Sequence, residues 1–172
     1  MADKEYVNRL ENVIKQMLTP LKDIPFNLVI ESLTGKKVIP FDFKNSEDTK
    51  LLELLKDVAV LCGKEINKNG IESRRPNEVG NYIEAFVKKA MQHYNLSPDV
   101  PSGTSGKKKS TGYPDIIFFF NNQPYYLECK TYNLENISTT QRSFYFSPSD
   151  DFKVVYDTHH FILSYEMVLD GR

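Results

Sequence analysis

Apolar positions along the chain fall into helical and strand periods in turn. Tyr6, Val7, Leu10, Val13, Ile14, Met17 and Leu18 recur at helical spacing, so residues 3–18 are expected to form a helix that Thr19-Pro20 ends. Residues 25–33 suggest a short helix stopped by Gly35. Ser46 can cap a third, with Leu51, Leu54, Leu55, Val58 and Leu61 on one face and Gly63 at its end. A polar connection, 64–76, follows. Asn77 can then cap a helix over 78–95, with Val79, Ile83, Phe86, Ala90 and Tyr94 as its buried stripe. Gly80, Glu84, Val87 and Met91 form the adjoining row, which sets Glu84 beside apolar neighbours.

Beyond residue 112 the period shortens. Ile116 to Phe120 and Tyr125 to Leu127 are β-branched, apolar and aromatic, as strands prefer. Asn121-Asn122 and Pro124 between them are turn chemistry. Strands are expected over 113–120, 124–132 and 160–166, with a mixed segment to about 157 and a weak first strand somewhere between Leu96 and Gly112. No internal repeat is visible.

This hairpin carries charge where a buried sheet should carry none: Asp115 in the first strand, Glu128 and Lys130 in the second. Strand alternation sends Glu128 and Lys130 to one face and Cys129 to the other. Closing the hairpin brings 115 opposite 128–130, with opposed Cβ atoms roughly 5 Å apart. Two carboxylates about 4 Å apart repel by about 4 kcal/mol at an effective dielectric near 20. A hard divalent ion such as Mg²⁺ or Mn²⁺ turns that repulsion into binding. A lysine beside it can orient a water and stabilise charge developing on phosphorus.

Pro114-Asp115, twelve residues, then Glu128-Cys129-Lys130 resembles the signature of the PD-(D/E)xK nuclease superfamily over about residues 77–166. The resemblance implies an α/β (α+β) restriction-endonuclease-like fold, an αβββαβ core with a mixed central sheet behind an N-terminal helical region. It implies that Asp115 and Glu128 ligate Mg²⁺ (Mn²⁺ substituting), that the Cys129 backbone carbonyl assists, and that Lys130 serves the attacking water. Gly80-Asn-Tyr-Ile-Glu84 is similar to a Gly-x-x-x-Glu form in that superfamily, which makes Glu84 the third carboxylate, with Glu78 as second choice. The implied activity is an Mg²⁺-dependent endodeoxyribonuclease of the type II restriction class leaving 5′-phosphates. A repair or junction-resolving nuclease shares the motif, and a non-catalytic DNA-binding module with a decayed nuclease fold is the reading from another class. Cutting both strands of a palindrome in double-stranded DNA favours a two-fold homodimer.

Composition narrows the picture. The chain's 172 residues, 40% hydrophobic, suit a single domain, with 1–70 as a helical subregion and 77–166 as the catalytic core. No apolar run is long enough to span a bilayer, and the charged start Met1-Ala-Asp-Lys-Glu-Tyr is unlike a signal peptide. A cytoplasmic, reducing setting is expected. Cys62 and Cys129 are too few for a disulfide framework or a zinc site, and Cys62 reads as core. Net charge is −1, but from Lys64 to Gly112 nine Lys/Arg face five Asp/Glu. Arg74, Arg75, Lys107, Lys108 and Lys109 are candidate phosphate contacts. The three lysines follow Pro101-Ser-Gly-Thr-Ser-Gly, a loop expected to be mobile until DNA orders it. Gln141 and Arg142, in Thr139-Thr-Gln-Arg-Ser143, are candidates for reading base edges. His159 and His160 begin the last strand, one of them expected to face the core.

Overall fold

The computed structural model describes residues 4–18, 24–72, 79–133 and 150–168. Among these residues four helices precede three strands: α1 (Lys4–Leu18), α2 (Phe26–Thr34), α3 (Ser46–Asn69), α4 (Val79–His93), β1 (Ile116–Phe120), β2 (Gln123–Tyr132) and β3 (His160–Glu166). The strands form a mixed sheet in the order β1-β2-β3, β2 antiparallel to β1 and parallel to β3. This is the α+β architecture expected for a restriction-endonuclease-like core. None of the described helices is long and apolar enough to cross a membrane.

The helices depart from expectation in three places. Asn45, not Ser46, caps α3, its side chain accepting from Glu47 N at 2.9 Å. Nor does α3 stop at Gly63; it runs six residues into the expected polar connection. Leu51, Leu55, Val58, Cys62 and Ile66 make one buried stripe across the glycine. Burying Ile66 returns about 1.5–3 kcal/mol against about 1 kcal/mol for a glycine inside a helix. The helix ends at Gly70, whose positive φ suits a glycine and whose N–H reaches Ile66 O at 2.7 Å. In α4 the buried face centres on Ile83, Val87 and Met91, while Phe86 and Tyr94 are only partly covered. That rotation carries Glu84 towards the sheet. Asn77 and Glu78 lie outside the described residues. The apolar stripe of α1, Tyr6, Val7, Leu10, Val13 and Ile14, is exposed.

The hairpin matches its pattern closely. Asn121 and Asn122 both take positive φ, as a two-residue turn of the right-handed twist requires. The register Ile116↔Leu127 through Phe120↔Gln123 follows. One face carries Ile116, Phe118, Tyr125, Leu127 and Cys129 into the main core beneath α3 and α4. The other carries Tyr126 and Ile117 against Ile30, Val38 and Val154. Where a first strand was expected, the described residues form isolated antiparallel bridges, Asp99↔Ile117 on the outer edge of β1 and Ser102↔Lys108 within the loop. The interval where the second core helix belongs falls mostly outside the described residues.

The loop expected to be loose is a tight turn. Asp151 Oδ1 accepts from Ser105 N at 2.8 Å and from Thr104 Oγ1 at 3.1 Å. Thr104 N reaches Phe152 O, and Gly103 N reaches Lys107 O. The donors to the Asp151 carboxylate, the backbone N–H of Ser105 foremost, hold that carboxyl down at about 2. Gly103 is required by space: an added Cβ would stand 2.2 Å from Asp151 Oδ1. Gly103→Ala should push that carboxylate off its donors and destabilise the protein, read as a fall in Tm. An unchanged Tm would mean that Asp151 does not anchor the loop.

Candidate active site

The site forms where β1 is shorter than β2. Strand pairing stops at Ile116↔Leu127, although a strand from residue 113 was expected. Continuing the register sets Asp115 opposite Glu128 and Pro114 opposite Cys129. Proline has no N–H for the ladder, and Cys129 N donates instead to Asp115 Oδ2 at 2.8 Å. The carboxylate thus occupies the place of a missing strand residue.

Peptide directions alternate along β2. Tyr126 N and Tyr132 O bond towards β3, so even-numbered residues face β3 and odd-numbered ones face β1. Cys129 directs its N–H to Asp115, and its C=O points to the same open edge. The Cys129 thiol is on the opposite face, in the core, where burial first and the nearby carboxylates next push it well above the thiol range.

Glu128 is 5% exposed. Its Oε1 accepts from Lys130 Nζ at 2.6 Å. Its Oε2 is buried with no hydrogen-bond partner. Burial raises the Glu128 carboxyl, Lys130 opposes that, and the charge of Asp115 adds to it. Glu84 arrives from α4, whose first turn packs on the end of β2, Gly80 lying beside Thr131. Its carboxyl is raised by burial and then by Asp115, against a 3.7 Å ion pair with Lys88. The structure therefore brings Asp115, Glu128, Lys130 and Glu84 to one end of the sheet.

Among the described residues no group of three or more His, Cys, Asp or Glu side chains is drawn tightly enough to hold a metal ion. The fit to Mg²⁺ is with fewer protein donors. Asp115, the donorless Glu128 Oε2 and the Cys129 carbonyl are hard oxygen ligands, and Mg²⁺ commonly takes only one or two carboxylates and keeps several waters.

Lys153 escaped the sequence reading. Only 3% exposed, it reaches the cluster from the segment ahead of β3. Its ammonium donates to the Gly112 carbonyl and to Lys109 O at 3.4 Å. Burial pulls it below the usual lysine range, opposed by the charges of Asp115, Glu128 and Glu84. The one available signal was a single charge inside the apolar run Phe152-Lys-Val-Val-Tyr156.

The nucleic-acid candidates separate. Lys107 is exposed. Lys108 grips both oxygens of Asp99 at 2.7 Å. Lys109 bonds Asp151 O at 2.8 Å and pairs with the Asp151 carboxylate at 3.3 Å. Two of the three lysines thus hold the loop together. Arg74, Arg75, Gln141 and Arg142 lie outside the described residues. Both histidines are structural. His159 meets Ile39 O at 2.9 Å and Asp48 at 3.4 Å. His160 stacks on Tyr113, whose hydroxyl bonds its Nδ1, and burial pulls the imidazole down to about 4.

A family model described as "Type II restriction enzyme MjaV family" matches residues 19–172. A curated relative, "Type II restriction enzyme MjaV" of Methanocaldococcus jannaschii, is 37% identical over 191 aligned positions that cover all of this chain and 81% of that protein. No solved structure matches significantly.

Charge repulsion in the site has a measurable sign. With no metal bound, the raised Glu84 carboxyl holds its proton more tightly in the folded than in the unfolded chain. Its contribution favours the fold below the ordinary carboxylate range and is lost as pH rises through the raised value. Glu84→Gln is neutral at every pH. Thermal unfolding in EDTA should therefore decline less from mildly acidic to neutral pH in the variant than in wild type. Parallel profiles would remove Glu84 from the charge cluster.

Proposed function

The chain belongs to the MjaV family of type II restriction enzymes, and from that premise we propose that Asp115, Glu128 and Lys130 are its hydrolytic centre. The protein is a restriction endodeoxyribonuclease, a hydrolase of DNA. The observation that carries the site is the pairing of Asp115 with Glu128 across an open strand edge, with one Glu128 oxygen buried and donorless. Family membership favours a site-specific enzyme over a repair or junction-resolving nuclease and over a non-catalytic module.

Asp115, Glu128 and the Cys129 carbonyl would hold Mg²⁺, with Mn²⁺ as a substitute of similar chemistry. When bound, the ion neutralises the carboxylates and supplies Lewis-acid stabilisation to the phosphodiester. Lys130, tied to Glu128 at 2.6 Å yet about two-fifths exposed, reaches from the carboxylates towards solvent. Its ammonium orients the attacking water and stabilises charge developing on the phosphoryl oxygens. Attack on phosphorus breaks the bond to the 3′ oxygen and leaves a 5′-phosphate. Glu84 adds negative charge beside Asp115 and strengthens cation binding.

Lys107 is the loop lysine disposed to meet a DNA phosphate, with Arg74, Arg75, Gln141 and Arg142 as further DNA contacts. A homodimer matches a two-fold DNA site. The exposed stripe of α1, Tyr6, Val7, Leu10, Val13 and Ile14, supports it, because a second copy of the same helix is a self-complementary cover. The enzyme would work in the cytoplasm, where its DNA is.

Leu10→Glu with Ile14→Glu should convert a dimer to a monomer in sedimentation analysis. A monomeric wild type, alone and on DNA, would end the dimer reading. With plasmid and Mg²⁺ the wild type should produce discrete bands whose ends carry 5′-phosphates. Lys130→Ala should cut at least about 100-fold more slowly, yet bind the same DNA in Ca²⁺. Full activity in that variant would refute the assignment.

A further inference from the structure

Lys153 has a place in the site that the hydrolytic mechanism does not use. Its carbonyl accepts from the Tyr126 hydroxyl at 3.2 Å, and Val155 N donates to that same hydroxyl at 2.9 Å. Tyr126 stands two residues before Glu128 on one face of β2. The segment carrying Lys153 is thereby pinned beside Glu128. From there the ammonium reaches the carbonyls of Lys109 and Gly112, the backbone that leads into Asp115.

Both of those acceptors are neutral. An ammonium this deeply buried is costly unless negative charge faces it. The carboxylates of Asp115, Glu128 and Glu84 are the charges that raise its proton affinity, with Lys109 acting in the opposite sense. The need is mutual, since two of those carboxyls repel Asp115. Lys130 cannot meet it alone, being partly in solvent, where charge interactions are weaker.

We propose that Lys153 is a positioning residue, a built-in cation that holds the three carboxylates together before the divalent ion arrives and then competes with that ion for them. This rests on the metal-dependent reading of the site. It carries a consequence that a merely structural lysine does not. Removing the charge should tighten metal binding while slowing cleavage, because the carboxylates gain net negative charge as Asp115 loses its anchored approach through Gly112.

The test is calorimetric titration of the full-length, metal-free protein with Ca²⁺. Lys153→Met should bind Ca²⁺ roughly tenfold tighter or more than wild type, yet cleave plasmid more slowly in Mg²⁺. Lys153→Arg, which keeps the charge, should return the Ca²⁺ affinity to near wild type. Unchanged or weaker Ca²⁺ binding by a folded Lys153→Met protein overturns the proposal. If that variant is unfolded without metal, Ca²⁺ should refold it in place of the missing cation, and failure to do so also overturns it. A wild type without Ca²⁺ binding that Asp115→Asn abolishes would bring down the metal reading itself, and this inference with it.

Discussion

The hydrogen bond from Cys129 N to Asp115 Oδ2 at 2.8 Å joins the fold to the chemistry. It closes the ladder where Pro114 can offer no N–H, so the sheet remains satisfied at the end of β1. The same bond leaves β2 longer than its partner and opens an edge. Along that edge the register sets one carboxylate opposite another, and peptide alternation turns the Cys129 carbonyl the same way. A one-residue slip in pairing would send Glu128 and Lys130 into the helical core and Cys129 to the active face. The Asn121-Asn122 turn, with its two positive φ values, guards against that slip.

In the metal-dependent reading proposed for this site, the carboxylates must be held together before the ion arrives. Three carboxylates near one another are unfavourable in a half-buried setting, and the fold answers with cations of different exposure. Lys130 is partly in solvent, Lys88 pairs with Glu84 on the α4 surface, and Lys153 is enclosed. The turn at 101–109 serves the same end. Asp151 gathers Thr104, Ser105 and Lys109, which fixes the backbone that Lys153 grips. Loop, buried lysine and the approach to β1 form one connected arrangement of charge and hydrogen bonds. Of the lysines ahead of the strand, Lys108 and Lys109 are paired with carboxylates, and Lys107 is exposed.

The two faces of the sheet divide the labour. Helices α3 and α4 cover the face of Leu127 and Cys129 with a continuous apolar core, and α4 sends Glu84 round to the strand end. The other face is closed more lightly by Ile30, Tyr126 and Val154, which leaves room for polar groups beside Glu128. Membership in the MjaV family gives this geometry its substrate, and the geometry shows how a short motif becomes a place where charge converges.

The chain's own pattern determined the hairpin, its turn, the last strand, the four helices and the convergence of Asp115, Glu128 and Lys130. Those features depend on contacts close in sequence and on periods of two and 3.6, which a linear reading can follow. It misjudged the end of α3, because the burial of Ile66 outweighs a local glycine preference. It also took Pro101 to Lys109 for a loose basic loop, because the anchoring carboxylate of Asp151 lies more than forty residues away. Lys153 showed only as a lone charge in an apolar run, for the same reason. Its meaning comes from carboxylates on α4, β2 and the approach to β1, and only the tertiary fold, by excluding water around it, turns an ordinary lysine into a counter-charge for the site.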